Sequence, residues 1–325
     1  MKAVVYDRYG PPDVLQISDV VFPEPADNQV LVKVYATTVN RTDNATTKAI
    51  PAFARLVTGI FKPRKSIPGT EFSGEIVSTG SNVNHYKAGD RVFGFYDMGC
   101  SAQAEYLVID SKFTRTIPDG VDFSTAAASI EGAHYAYSCI RKVKLRKNSE
   151  VLVYGASGAI GSAAVQLLKY FDMHVTAVVS ARHVDLLKRL GADNIIDYET
   201  EDFTLNGKQY DFIYDSVGKI SFFKCFRSLK RGGIYESSDL GFMGQNIFLP
   251  SITRIIRPLT GFRRTIFPFP HAIPDSLDLI ETILASGQFS PVIDRHYSLD
   301  EIVEAYRYVE RGQKTGNVVI DVIHR

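Results

Sequence analysis

Short apolar runs alternate with polar, glycine- and proline-containing connections along most of the chain, and the pattern changes twice. Over residues 1–122 the segments MKAVVY, VLVKVYATTV, SGEIVSTG, DRVFGF and AEYLVI read as short strands. Turn clusters such as GPP, PEPADN and GSNVNHYKAGD separate them, which predicts a compact, mostly-β domain. VDFSTAAASIEGAHYAYSCIRK then reads as a helix opening a different region. VLVY, HVTAVVS, NIIDY, YDFIYDSVG and GGIYESSD are apolar strands there, with SAAVQLLKYF, VDLLKRLGA and FFKCFRSLKR as helices between them. That alternation predicts a parallel sheet wound on both faces. After residue 265 come a helix IPDSLDLIETILASG, the stretch PVIDRHYSL, a helix EIVEAYRYVERG and a strand GNVVIDVI. These pieces are expected to return to the first domain. The predicted division is 1–122 with 266–325, and an inserted α/β domain over 123–265.

Residues 151–161 read VLVYGASGAIG, a strand followed by Gly155, Gly158 and Gly161 and then an amphipathic helix. At such a turn the first N–H groups of the helix are unpaired and its dipole end is positive, which suits a pyrophosphate. Gly155 lets the turn bend, Gly158 lets backbone approach the ligand, and Gly161 lets helix and strand pack closely. Gly158, Ala159 and Ile160 are the expected donors, with Ser157 inside the same turn. Ser180, Tyr198, Ser216 and Gly218 fall at or near the carboxyl ends of the other strands, where a doubly wound sheet binds its ligand. The expected ligand is a dinucleotide.

An acidic residue ending the second strand would favour NAD. Here the strand ends Val179-Ser180-Ala181-Arg182-His183, with no carboxylate before Asp185. Ser180 and the planar fork of Arg182 suit a 2′-phosphate, so NADP(H) is the expected cofactor. Ser180 as a helix cap and Arg182 as a solvated charge are the alternatives.

Composition narrows the partners. The 325 residues are 45% hydrophobic, ample for two ordinary cores, and the formal net charge of +1 argues against nucleic acid or a strongly basic membrane surface. Cys100, Cys139 and Cys225 are few and far apart, as expected in a reducing compartment. MKAVVYDRYG lacks the apolar core of a signal peptide, and no apolar run approaches a membrane span, so a cytoplasmic location is expected.

Nearly the whole chain resembles the medium-chain dehydrogenase/reductases, in their zinc-independent, quinone-oxidoreductase-like (zeta-crystallin-like) branch. MKAVVYDRYGPPDVLQ, PGTEFSGEIVSTGSNVNHYKAGDRVFG, the glycine turn, LGADNIIDY, YDSVG and GQKTGNVVI carry the resemblance. It implies an α/β protein made of a GroES-like β-barrel catalytic domain and a Rossmann NADP(H)-binding domain. Zinc-dependent relatives carry a metal cysteine in Cys-x-Thr/Ser-Asp and a histidine in Gly-His-Glu. The matching stretches here are Asn40-Arg41-Thr42-Asp43 and Gly69-Thr70-Glu71, and Glu131 alone at a third position cannot make a four-coordinate site. No zinc is expected. Without a Lewis acid, a quinone or an α,β-unsaturated carbonyl is the favoured acceptor, because conjugation spreads the charge that hydride addition creates.

The same resemblance implies residue roles. Asn40 and Asp43 would line the nicotinamide end of the site, although a turn-forming Asx pair explains them equally well. His134 replaces a family threonine near the nicotinamide ribose. It would donate a proton to an enolate, or else be a buried histidine bonded to backbone. Tyr96 and Tyr137 are further donors, or packing. Tyr198 would lie near the adenosine phosphate, and Arg311 or Lys314 would close over it. Residues 49–66 read as a helical flap, and RIIRPLTGFRR (254–264) as a solvated loop beside a dimer interface rather than an RNA site. A homodimer paired through RTIFPFP (264–270) is expected. Two other functions compete with a quinone or enone reductase: a metal-free dehydrogenase or reductase of another carbonyl or alcohol, and a crystallin-like NADPH-binding protein with little turnover, structural or RNA-associated.

Overall fold

The computed structural model describes residues 1–52, 55–238, 245–267 and 272–323. The chain forms two compact units, Met1–Glu131 with Ala272–Arg325, and Gly132–His271. The first stretch supplies β1 (Lys2–Val5), β2 (Gln16–Asp19), β3 (Gln29–Val39), α1 (Arg41–Lys48), α2 (Arg55–Thr58), β4 (Glu71–Thr79), β5 (Arg91–Phe95), β6 (Tyr106–Asp110), β7 (Thr114–Thr116) and α3 (Phe123–Ala128). The inserted stretch carries α4 (Glu131–Ile140), β8 (Glu150–Tyr154), α5 (Ala159–Tyr170), β9 (His174–Val179), α6 (Val184–Arg189) and β10 (Asn194–Asp197). It continues with β11 (Tyr210–Asp215), α7 (Phe222–Cys225), β12 (Leu229–Ser237), α8 (Gln245–Ile255) and β13 (Arg264–Ile266). The chain ends with α9 (Ile273–Ala285), β14 (Ile293–Ser298), α10 (Ile302–Glu310) and β15 (Asn317–Asp321).

In the first unit the main sheet runs β14-β15-β3-β4-β5-β7, with β6 also on β3. β3 is its organiser: Gln29–Lys33 pairs with β6, while Ala36–Val39 pairs with β15 on the returning segment. Alternating burial along β3 places Val30, Val32 and Val34 in a core with Phe72, Ile76, Val92 and Leu107. The last residues of β3 lead directly into α1, whose first turn belongs to the site below.

In the second unit the strands are all parallel, in the order β10-β9-β8-β11-β12-β13. The order reverses between β8 and β11, so the carboxyl ends of these two strands mark the switch point where such sheets bind ligands. Of the expected pairing segment RTIFPFP, Arg264–Ile266 forms β13, and residues 268–270 lie outside the described residues.

The helix expected from residue 121 onward is two helices. Asp122 caps α3 through Thr125 N (2.7 Å), and Ala127 and Ala128 pack with Ala36 and Val319 of the first unit. The chain then turns, and Glu131 N donates to Glu71 Oε2 at 2.5 Å. Chain contacts therefore put the join between residues 131 and 132, later than the 122/123 read from sequence, because α3 is bound into the first unit. The second join, between 271 and 272, also follows the expected 265/266. Within the flap expected over 49–66, the described residues include the short helix α2, and Phe53 and Ala54 lie outside the described residues.

Candidate functional site

In the second unit the strand β8 ends at Tyr154 and the chain bends at Gly155, whose φ of +77° is the left-handed region that glycine tolerates. A Cβ at Gly161 would lie 2.3 Å from Gly155 O, so this glycine is demanded by the approach of helix to strand. Gly158 differs: a Cβ there would meet nothing nearer than Gly155 O at 3.7 Å. The turn itself has room for a side chain at Gly158. Ser157, Gly158, Ala159 and Ile160 are half-buried, with the first-turn N–H groups of α5 facing no helical acceptor. A Cβ on Gly132 would come within 2.7 Å of Ala159 O, so the start of α4 packs directly on this turn.

Two residues expected to touch the cofactor brace the turn instead. Ser216 Oγ donates to Tyr154 O (2.9 Å) and Gly155 O (3.1 Å), so its hydroxyl is spent on the cradle. Gly218 (φ +70°) donates its N–H to Asp215 Oδ1 at 2.9 Å. Asp215, which sequence reading missed, also accepts from Val217 N and Ile220 N and so shapes the whole loop beyond β11.

At the ends of β9 and β10, Tyr198 N donates to Val179 O (3.1 Å), which brings exposed Tyr198 beside Ser180. Ser180 precedes a single 3-10 turn but does not cap it with its side chain; its hydroxyl pairs with His183 Nδ1 at 3.3 Å. Arg182 is exposed and makes no recorded ion pair among the described residues. The chain has no carboxylate between Val179 and Asp185.

The first unit holds a buried polar cluster at the junction of β3 and α1. Asp43 Oδ2 accepts from Asn40 N at 2.8 Å and thereby caps α1. Asn40 Nδ2 donates to Thr38 Oγ1 (3.0 Å) and Glu71 Oε1 (3.1 Å), and Thr38 Oγ1 donates to the same Glu71 oxygen. Lys314 Nζ donates to Asn40 Oδ1 (3.0 Å) and to Gly316 O. Burial raises all three carboxyls: Asp43 to about 8, with the Glu131 charge as a second cause, and Glu71 well above the usual range. Glu131 is raised by burial while Thr42 and Lys314 oppose the shift, and its Oε2 has no hydrogen-bond partner among the described residues. Burial also lowers Lys314 to about 8.

These positions do not fit a zinc centre. Asn40, Thr70, Glu71 and Glu131 include no thiolate or imidazole, and the ammonium of Lys314 is already bonded to Asn40. Among the described residues no group of three or more His, Cys, Asp and Glu side chains could hold a metal.

Three expectations change. Lys314 belongs to the carboxylate cluster rather than to a phosphate, and Arg311 is an exposed residue closing α10 through its N–H to Tyr308 O. His134 is buried in α4, and burial, with Arg141 nearby, lowers its pKa to about 4. It is neutral at pH 7, so an imidazolium is not at hand to protonate an enolate. Asn40 and Asp43 are brought together as expected, but their polar atoms bond mainly to one another, Thr38, Glu71 and Lys314. The part of Glu71 and Lys314 in this cluster was not readable: Glu71 reaches it through the pairing of β4 with β3, and Lys314 through the return of β15 onto β3.

Residues 26–141 match the family model described as the alcohol dehydrogenase GroES-like domain, and residues 190–320 the one described as zinc-binding dehydrogenase. The chain is 32% identical over 339 residues to the 2-methylene-furan-3-one reductase of Solanum lycopersicum, covering 99% of this chain and 79% of that protein. It is 29% identical over 336 residues to the chloroplastic NADPH-dependent alkenal/one oxidoreductase of Arabidopsis thaliana, covering 98% and 79%. Among solved structures, the quinone oxidoreductase from Coxiella burnetii aligns with a TM-score of 0.86 at 27% identity, covering 99% of both chains. No described helix is long and apolar enough to cross a membrane.

Proposed function

The chain belongs to the medium-chain dehydrogenase/reductase superfamily, as a quinone-oxidoreductase-like protein with a GroES-like domain and a Rossmann-like domain, and from that premise we propose that it reduces quinones or α,β-unsaturated carbonyls with NADPH and without a metal. The coarser statement, an oxidoreductase of the NADP(H)-dependent kind, follows from its relatives. The observation that supports the finer one is that the stretches matching the zinc-ligand motifs of zinc-dependent relatives hold Asn40 and Thr70, with Asn40 Oδ1 already accepting from Lys314 Nζ.

Bound NADPH supplies the hydride. The backbone N–H groups of Ala159 and Ile160 would hold the pyrophosphate, with Gly158, whose own N–H donates to Gly155 O at 3.2 Å, leaving room for its approach, while Ser180, Arg182 and Tyr198 would select the 2′-phosphate. His134, buried in α4 with its pKa lowered to about 4, offers no strong acid near neutrality. Hydride adds to the β-carbon of the acceptor and the charge moves onto the conjugated oxygen. The proton then comes from solvent, leaving NADP⁺ and the saturated carbonyl. With a quinone, the same hydride and proton give the quinol.

Deuterium labelling tests the choice of carbon. NADPH carrying deuterium at C4 and a simple enone should give a saturated ketone labelled at the β-carbon. Label at the carbonyl carbon would favour the second reading, a carbonyl reductase.

A further inference from the structure

The helix α8 is turned inside out. Its inward positions, Asn246, Leu249 and Thr253, followed by Thr260, are mostly polar, whereas its outward positions are apolar. Phe248 is 63% exposed, Ile252 50%, Ile255 80% and Leu259 87%. These four recur at helical spacing, and the Ile256 N to Ile252 O bond (3.1 Å) carries the helical turn past the end of α8. Hydrogen bonds fix this orientation. Thr253 Oγ1 donates to Leu249 O (2.9 Å) and accepts from Thr265 N (3.1 Å), while Thr260 Oγ1 donates to Arg263 O (2.8 Å). Beside the stripe a groove of about 550 Å³ is lined by Phe222, Phe226, Leu249, Ile252 and Ile256, with Lys224 at its edge.

Charge decides the occupant. From residue 240 to residue 274 the sequence has Arg254, Arg257, Arg263 and Arg264 and no Asp or Glu, although the whole chain is almost neutral at +1. Arg254, Arg257 and Arg264 make no recorded ion pair among the described residues, and Arg254 and Arg257 both repel the charge on Arg264. A twofold self-contact would set this basic surface against itself. A helix with an apolar outward stripe and arginines interleaved matches a helix lying in a lipid interface.

We infer that α8 and the turn after it dock this protein on the surface of an anionic bilayer, with Phe248, Ile252, Ile255 and Leu259 entering the acyl boundary and Arg254, Arg257 and Arg264 facing lipid headgroups. This is attachment to a surface, not a span. It would bring the enzyme to apolar acceptors dissolved in the membrane.

The test is flotation of the purified chain with vesicles of phosphatidylcholine alone or mixed with phosphatidylserine. The protein should float with the mixed vesicles, remain in solution with phosphatidylcholine alone, and be released by high salt. The pair Ile255→Asp with Leu259→Asp should abolish flotation. The pair Arg254→Gln with Arg257→Gln should weaken it by about twenty-fivefold, at roughly fivefold per arginine. Unchanged NADPH binding and thermal melting show that each variant is folded. Absence of flotation on mixed vesicles at low salt would overturn the inference. So would a dimer in sedimentation that the aspartate pair splits, which would assign the surface to a second copy. None of these readouts depends on which substrate is reduced.

Discussion

Lys314 and Asn40 are 274 residues apart in sequence, and Lys314 Nζ donates to Asn40 Oδ1 at 3.0 Å. The bond joins the last strand-forming segment to the start of α1, inside a cluster that also holds Asp43, Glu71 and Glu131. One ammonium faces three buried carboxyls, so its removal is the first expectation to test. Lys314→Met should lower unfolding free energy by about 1–3 kcal/mol, the cost of leaving Asn40 Oδ1 and Gly316 O without their donor. Lys314→Arg should recover part of that loss. Urea unfolding at pH 7 measures both.

The cluster also sets a pH dependence. Burial, reinforced by Glu131, pushes Asp43 up to about 8, against an unfolded value near 3.9. Between those values the folded protein holds a proton that the unfolded chain has released. The stability it contributes is fully present below about pH 4 and is lost as pH rises through 8. Urea midpoints measured from pH 5 to pH 8 should fall with rising pH. Asp43→Asn keeps an acceptor for Asn40 N and should flatten the slope by on the order of 1 kcal/mol per pH unit. Equal slopes in the two proteins would place the titrating group elsewhere.

His134 is expected to be silent near neutrality. With its pKa lowered to about 4 by burial, it gains a proton only well below the working range. Profiles of kcat/KM for wild type and His134→Gln should have the same shape between pH 6 and 8. A limb near pH 6.5 present only in wild type would restore the imidazolium as proton donor.

The glycine turn separates fold from ligand. Gly161→Ala puts a Cβ into Gly155 O and should destabilise the protein by about 1–3 kcal/mol. Gly158→Ala has space within the protein, so its melting temperature should stay near that of wild type while NADPH binds about tenfold more weakly or worse. Calorimetric titration alongside thermal melts distinguishes the two.

The proposed preference for NADPH rests on Arg182. A hydrogen bond to a charged group contributes about 1.5–3 kcal/mol, so Arg182→Ala should weaken NADPH by roughly ten- to a hundredfold. NADH, which lacks the 2′-phosphate, should change much less. Equal losses for both would move the phosphate site away from β9.

How much of this was legible in the sequence follows from distance along the chain. The turn Gly155–Gly161 was readable because strand, glycines and helix are contiguous, and each glycine's role is local. Ser180, Arg182 and Tyr198 were readable because strand ends converge in any parallel sheet. The roles of Glu71 and Lys314 were not, since their pairing depends on β15 returning to β3 and β3 leading into α1. That Ser216 donates to the backbone of the turn was not legible, because a strand-end serine looks the same whether it faces ligand or braces backbone. For His134 the sequence left a proton donor and a buried histidine both open, because burial cannot be read from type and position; in the structure it is buried. The arginines at 254–264 were visible, but the apolar stripe beside them was not. Phe248, Ile252, Ile255 and Leu259 would ordinarily be core, and only the inward hydrogen bonds of Thr253 and Thr260 show that they face outward.

The central claim is metal-free reduction of conjugated acceptors, and the most direct measurement follows NADPH consumption across quinones, enones, aldehydes and alcohols with and without a strong chelator. Turnover should be greatest with quinones or enones and unchanged by chelation, with no oxidation of simple alcohols by NADP⁺. Alcohol oxidation abolished by chelation, or tight NADPH binding with no turnover on any acceptor, would contradict it.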